Sequence, residues 1–245
     1  MFNILTLNKI SKVGLDKLDP AKYTCSDSVE APDAILVRSA SMHEMTLSPA
    51  TLAIGRAGAG VNNIPVADFG AQGVAVFNTP GANANAVKEL VLCSLFLASR
   101  KVASAVDWCK TLKGEGDAVG KLVEKGKSAF AGPEILGKTL GVIGLGAIGT
   151  LVAEGAKALG MDIVGYNPRL PEERIADLTS KGIKLMSSLD ELYAASDYIT
   201  LHLPLNDSTR GMINGEAIAK MKDGVRILNF ARGELADTAA VLATV

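Results

Sequence analysis

The 245-residue chain has little aromatic character: one Trp, four Tyr and six Phe. That supply is too thin for a platform that stacks nucleic-acid bases. Charge of one sign is also missing, since 25 basic residues face 26 acidic ones, for a net charge of −1, and no run of like charge occurs. A phosphate-backbone binder needs a basic excess or stripe, so no nucleic-acid partner is expected. The longest apolar runs, 90–99 and 139–153, fall short of the roughly 20 residues that cross a bilayer, and no membrane partner is expected. Residues 1–9 carry no basic segment ahead of their apolar run and no small-residue cleavage signal. Export is not expected on that ground. Cysteine is sparse: Cys25, Cys93 and Cys109 form no CxxC pair, so free thiols in a reducing cytoplasm are expected, with no metal site. The only histidines are His43 and His202, neither in a motif that marks a general base.

What the chain does have is alternation. Hydrophobic residues make up 48% and charged residues 21%, as in a globular protein with a substantial core. Short apolar runs at 2–7, 34–38, 52–56 and 74–77 read as buried strands, separated by helical stretches at 12–18 and after Asn62-Asn63. A long helix is expected from about Ala84 to beyond Lys101. The glycine-sprinkled segment 111–138, interrupted by Pro133, reads as a surface connection. A second series then begins, with strands at 139–143, 161–166, 183–186, 197–202 and 225–230 and helices near 148–159, 171–181, 188–195 and 214–221. Alternation of this kind predicts α/β architecture: two Rossmann- or flavodoxin-like parallel-sheet domains with helices on both faces. The expected division is 1–100 and 101–245. The second domain would be doubly wound and short of its last strand, the chain reading as truncated after the helix start at Asp237.

The strongest local signal is Gly144-Leu145-Gly146-Ala147-Ile148-Gly149. It follows a strand and opens a helix, the context in which GxGxxG binds a dinucleotide. Gly144 permits the tight turn, Gly146 lets the backbone approach a pyrophosphate, and Gly149 lets helix pack on strand. The helix N-terminus offers unpaired N–H groups and a positive dipole end. The acidic residue expected about 20 positions on is replaced by Asn167, followed by Arg169. Asparagine can still meet the adenosine ribose, yet it does not repel a 2′-phosphate. NAD is the expected cofactor, with NADP left open. A second constellation, Asn229-Phe230-Ala231-Arg232-Gly233, places a guanidinium past the C-terminal end of a strand, where parallel sheets bind ligands. Its fork suits a carboxylate.

In combination, Gly137–Gly149, Ala231-Arg232-Gly233 with Asp237, Val37-Arg38-Ser39, Gly55–Val61 and Asn78–Asn83 resemble the D-isomer-specific 2-hydroxyacid dehydrogenases over essentially the whole chain. The resemblance implies hydride transfer between a small anionic 2-hydroxy or 2-oxo acid and a nicotinamide. On the same resemblance Arg232 would hold the substrate carboxylate and C2 oxygen, and Ala147 and Ile148 would present N–H groups to the pyrophosphate. Asn167 would meet the ribose, while Thr79, Leu203, Phe230 and Ala231 would line the nicotinamide. Arg38 and Ser39, with the Ala59-Gly60 backbone, would bind the substrate's anionic ends, and a homodimer paired through the second domain is implied. 3-Phosphoglycerate is the implied substrate; alternatives are hydroxypyruvate or glyoxylate reduction with NADPH, or dinucleotide binding without catalysis. The last is kept because the family's histidine–glutamate pair lies beyond the arginine motif, past residue 245.

Overall fold

The computed structural model describes residues 1–244. The chain forms two compact units, one from Met1 to Asn83 and one from Ala84 onward.

The first unit is a five-stranded parallel sheet built from β1 (Phe2–Leu7), β2 (Tyr23–Ser26), β3 (Ala34–Val37), β4 (Ala53–Arg56) and β5 (Ala75–Asn78), in the order β2-β1-β3-β4-β5. Helices α1 (Lys12–Leu15) and α2 (Val66–Ala71) accompany it. Leu5, Ile35, Val37, Met42, Ile54, Ile64, Phe69 and Val74 fill its core. Strand β2, the edge strand, is not announced by the sequence: Tyr-Thr-Cys-Ser is polar and only partly buried. It pairs with β1 alone, its Tyr23 opposite Phe2 and their rings 6.0 Å apart.

The second unit opens with α3 (Ala84–Ser99), α4 (Val102–Thr111) and α5 (Val119–Gly126). A second five-stranded parallel sheet follows, made of β6 (Thr139–Ile143), β7 (Asp162–Tyr166), β8 (Lys184–Leu185), β9 (Tyr198–Leu201) and β10 (Arg226–Asn229). Its order is β10-β9-β6-β7-β8, the doubly wound pattern, with α6 (Ala147–Ala158), α7 (Glu172–Ser180), α8 (Leu189–Ala195), α9 (Gly215–Ile218) and α10 (Thr238–Leu242) between and after the strands. Leu140, Val142, Leu145, Val152, Ala153 and Ala156 pack on one face with Val91 and Leu95 of α3, and Ile143, Val164, Leu192, Ile199 and Leu201 on the other. Because Val91 and Leu95 are fully buried there, α3 goes with the second unit, and the division falls at 83/84 where the sequence placed it at 100.

Two sequence expectations need correction. The helix from Ala84 does not run through Lys101. Arg226 Nε takes the Ala98 carbonyl at 2.9 Å, the acceptor that Val102 N–H would need to continue the helix. That N–H turns to Arg100 O instead, at 2.6 Å, and α4 starts afresh. Segment 111–138 is not all connection either. Val119, Leu122 and Val123 stand at helical spacing inside it and form α5, which ends where Gly126 lies under the Trp108 ring.

Among the described residues no helix is long and apolar enough to cross a membrane. Cys25 is half-buried, Cys93 and Cys109 are exposed, and all three are free thiols.

Candidate functional site

In the second unit the chemistry-bearing residues collect at the C-terminal edge of the sheet. Strand β6 is followed by Gly144, whose N–H donates to the Tyr166 carbonyl at 2.9 Å and whose φ is +95°. A Cβ there would lie 2.6 Å from the His202 carbonyl oxygen. The turn leaving β6 is thus pressed against the segment leaving β9. These neighbouring strands are the point at which strand order reverses, the crevice in which doubly wound sheets take ligands. Leu145 is 2% exposed and anchors the turn in the core.

Gly146 then caps α6, and Thr150 N–H closes its first helical bond on the Gly146 carbonyl at 3.0 Å. The N–H groups ahead of Thr150 have no helical acceptor and sit at the positive end of the dipole. A Cβ at Gly146 would meet nothing within 4 Å, whereas one at Gly149 would run into the Gly144 carbonyl. One glycine therefore holds space open on the ligand side, and the other lets helix and turn touch.

Asn167, just past β7, is half-buried and donates through Nδ2 to the Arg169 carbonyl at 2.8 Å. The exposed Arg169 side chain makes no hydrogen bond or ion pair among the described residues. Beyond β9, His202 Nε2 lies 3.0 Å from Thr200 Oγ1. Burial pushes its pKa down to about 4, so at neutral pH the ring carries no charge. Leu203 follows and touches the Gly144 turn. Beyond β10 come the half-buried Phe230 and Ala231, then the exposed Arg232, whose side chain, among the described residues, bonds only to its neighbour's carbonyl, Ala231 O, at 2.9 Å. Asn229 clamps this loop from both sides: its Oδ1 accepts from Ala231 N at 3.1 Å and its Nδ2 donates to Arg232 O at 2.7 Å.

Along the edge the order is Asn167, Gly144–Gly146, Leu203, then Phe230–Arg232. Neighbouring strands are about 4.8 Å apart, so β7 to β10 spans about 14 Å, room for two nucleosides bridged by a pyrophosphate. Open space at Gly146, free N–H groups, a side-chain amide at one end and a cation at the other fit such a ligand. The arrangement defines a dinucleotide-binding unit.

In the first unit Arg38, Ser39, Ala59 and Gly60 lie in the loops after β3 and β4, and Thr79 follows β5. Thr79 N–H donates to Gly58 O at 3.0 Å and Asn78 Nδ2 to Ala59 O at 2.7 Å, tying those loops together. Asn8, at φ +66°, is a residue the sequence reading missed. Its Oδ1 accepts from Ser39 N at 2.9 Å and Ala40 N at 2.5 Å, while Asn63 Nδ2 holds Ala40 O at 2.8 Å. The one available hint was an asparagine at a strand end, the residue that best tolerates positive φ after glycine. A cavity of about 320 Å³ in this unit is walled mostly by apolar side chains such as Leu15, Leu36 and Phe77, with Arg56 and Thr79 at its lining. His43, exposed, bridges to Asn62 O at 2.9 Å.

The chain belongs to the D-isomer specific 2-hydroxyacid dehydrogenases: residues 92–245 match the family's NAD-binding domain. D-3-phosphoglycerate dehydrogenase of Mycobacterium tuberculosis is 41% identical over 217 residues, 87% of this chain and 38% of the relative. Hydroxypyruvate reductase of Thermotoga maritima is 42% identical over 212 residues, 85% of this chain and 63% of that one. The chain thus spans less than two thirds of either relative. Among solved structures, NAD+-bound 3-phosphoglycerate dehydrogenase of Entamoeba histolytica superposes with a TM-score of 0.75 at 26% identity, covering 99% of this chain and 76% of that one.

Proposed function

We propose that the chain carries the dinucleotide-binding and substrate-binding parts of an NAD-dependent D-2-hydroxyacid dehydrogenase that oxidises 3-phospho-D-glycerate to 3-phosphooxypyruvate. The observation that carries the reading is the order along one sheet edge: ribose acceptor, phosphate turn, apolar wall, guanidinium. When bound, NAD supplies the hydride-accepting nicotinamide. The Ala147 and Ile148 N–H groups hold the pyrophosphate and Asn167 the ribose. Leu203, Phe230 and Ala231 line the nicotinamide. Arg232, which pairs with no carboxylate among the described residues, holds the substrate carboxylate and polarises the C2 oxygen. In the first unit, Arg38, Ser39 and the Ala59-Gly60 backbone offer donors suited to an anionic group such as a phosphate. Pairing of two copies through the second unit and a cytoplasmic setting belong to the same proposal.

A second reading, reduction of hydroxypyruvate or glyoxylate with NADPH, draws on the neutral Asn167 beside the unpaired Arg169. Calorimetric titration with NADH and NADPH, then with 3-phospho-D-glycerate or hydroxypyruvate on the dinucleotide-loaded chain, separates the two. Arg232→Ala is expected to abolish acid binding and leave dinucleotide affinity within twofold. Tight acid binding by that variant would overturn the role of Arg232, and absence of dinucleotide binding by the native chain would overturn the whole reading.

A further inference from the structure

The carbonyl of Leu145, inside the glycine turn, is held on its protein side by two side chains. Thr150 Oγ1 donates to it at 3.2 Å and Arg174 Nη2 at 3.4 Å, and the two donors are themselves 3.2 Å apart. Arg174 comes from α7, 29 residues along the chain. Its guanidinium is fixed by Asp177 at 2.6 Å. Asp177 also meets Lys181 at 3.4 Å, and Lys181 pairs with Glu154 of α6 at 2.8 Å. A chain of charges therefore fastens α7 to α6, with Arg174 at the end nearest the turn.

In a trans peptide the C=O and N–H point in opposite directions, and the chain has no cis bond among its described residues. Drawing the Leu145 carbonyl inward therefore turns the Gly146 N–H of the same peptide outward, to the side where a Cβ on Gly146 meets open space. We infer that Arg174, with Thr150, is a positioning residue that aims the Gly146 N–H as a third donor to the dinucleotide pyrophosphate, beside those of Ala147 and Ile148. The inference rests on the dinucleotide reading of this site. Arg174 acts through the backbone and touches no ligand, and a lysine cannot reproduce its two-pronged hold on Asp177 and Leu145.

The test uses ADP-ribose as probe, with calorimetry and amide NMR on the whole chain. In the native chain the Gly146 amide proton is expected to shift downfield on addition of ADP-ribose. In Arg174→Ala the Gly146 shift is lost and the Kd rises about tenfold, equally for ADP-ribose and NADH because the nicotinamide is not involved; Arg174→Lys recovers only part. Thr150→Val, which leaves every ion pair in place, is the second variant, expected to weaken ADP-ribose severalfold with the same loss of the Gly146 shift. Native affinity and an intact Gly146 shift in the folded variants would overturn the inference while leaving the site standing. A native chain that ignores ADP-ribose would instead overturn the dinucleotide reading, and the inference with it.

Discussion

Gly149→Ala and Gly146→Ala separate the two jobs of the glycine turn. Alanine in a helix interior ordinarily gains about 1 kcal/mol over glycine. At 149 the added Cβ would meet the Gly144 carbonyl oxygen inside contact distance, with the Gly144 carbon at 3.0 Å and Val142 Cγ1 at 3.3 Å. The obstructing group is backbone, and it cannot retreat: Gly144 is tied to Tyr166 O at 2.9 Å and has the His202 carbonyl behind it. Overpacking against so rigid a neighbour belongs at the upper end of the usual 1–3 kcal/mol, leaving a net loss of about 2 kcal/mol. For a unit of this size that is about 4–8 °C in Tm. Gly155→Ala on the same helix is the control, since its Cβ would meet only the tip of Leu92 at 2.9 Å, a flexible group that can swing aside. At Gly146 the Cβ meets nothing, so Gly146→Ala should change stability by less than about 0.5 kcal/mol yet put a methyl where the pyrophosphate approaches. Its NADH affinity should fall at least tenfold, about 1.4 kcal/mol. Calorimetric melting and NADH fluorescence titration read both quantities. A Gly146→Ala chain that binds NADH as well as the native one would refute the placement of the phosphates, and an unharmed Gly149→Ala would refute the packing argument.

Other expectations follow from single side chains. His202 is held neutral, its pKa lowered to about 4 by burial against about 6.5 unfolded; stability is intact above pH 6.5 and falls as pH drops toward 4, the loss being at most about 3 kcal/mol. His202→Gln should flatten that part of a pH–stability curve, and an unchanged slope would exonerate the histidine. Tyr193 Oη is buried without a hydrogen-bond partner among the described residues, and burial pushes its pKa up to about 12; Tyr193→Phe should therefore raise stability by about 1 kcal/mol, and a clear drop in Tm would refute that. Ser99 Oγ bridges Leu95 O at 2.6 Å and Tyr198 Oη at 2.7 Å in a buried setting; Ser99→Ala strands the tyrosine and should cost about 1–3 kcal/mol, checked by urea unfolding. Asn229→Ala removes both clamps on the loop that carries Ala231 and Arg232 and should weaken acid and NADH binding while ADP-ribose affinity, which does not involve the nicotinamide, holds; calorimetry would show or deny that split.

The parts of the fold that could be read from the sequence are those whose cause is local. Strands β1 and β6 fall at 2–7 and 139–143, as read, because a short apolar run between turn residues has few alternatives. The glycine turn was legible for the same reason: a tight turn, an approach and a helix contact each demand a missing Cβ within six consecutive residues. What escaped depends on partners far along the chain. The break after Ser99 coincides with a bond to the Ala98 carbonyl from Arg226, 128 residues away, and no pattern in 84–102 announces it. Edge strand β2 exists because β1 offers it a partner and Tyr23 a ring to face, not because Tyr-Thr-Cys-Ser asks to be a strand. The same division runs through the site. Arg232 and Asn167 could be named because each stands just past its own strand, where the sheet must present it. Asn8 reaches Ser39 across 31 residues and Arg174 reaches Leu145 across 29; both hold a backbone group rather than a ligand, so neither carries a motif. Residues that touch the ligand answer to chemistry that repeats from protein to protein, whereas residues that aim the backbone answer to this fold alone, and only the folded chain displays them.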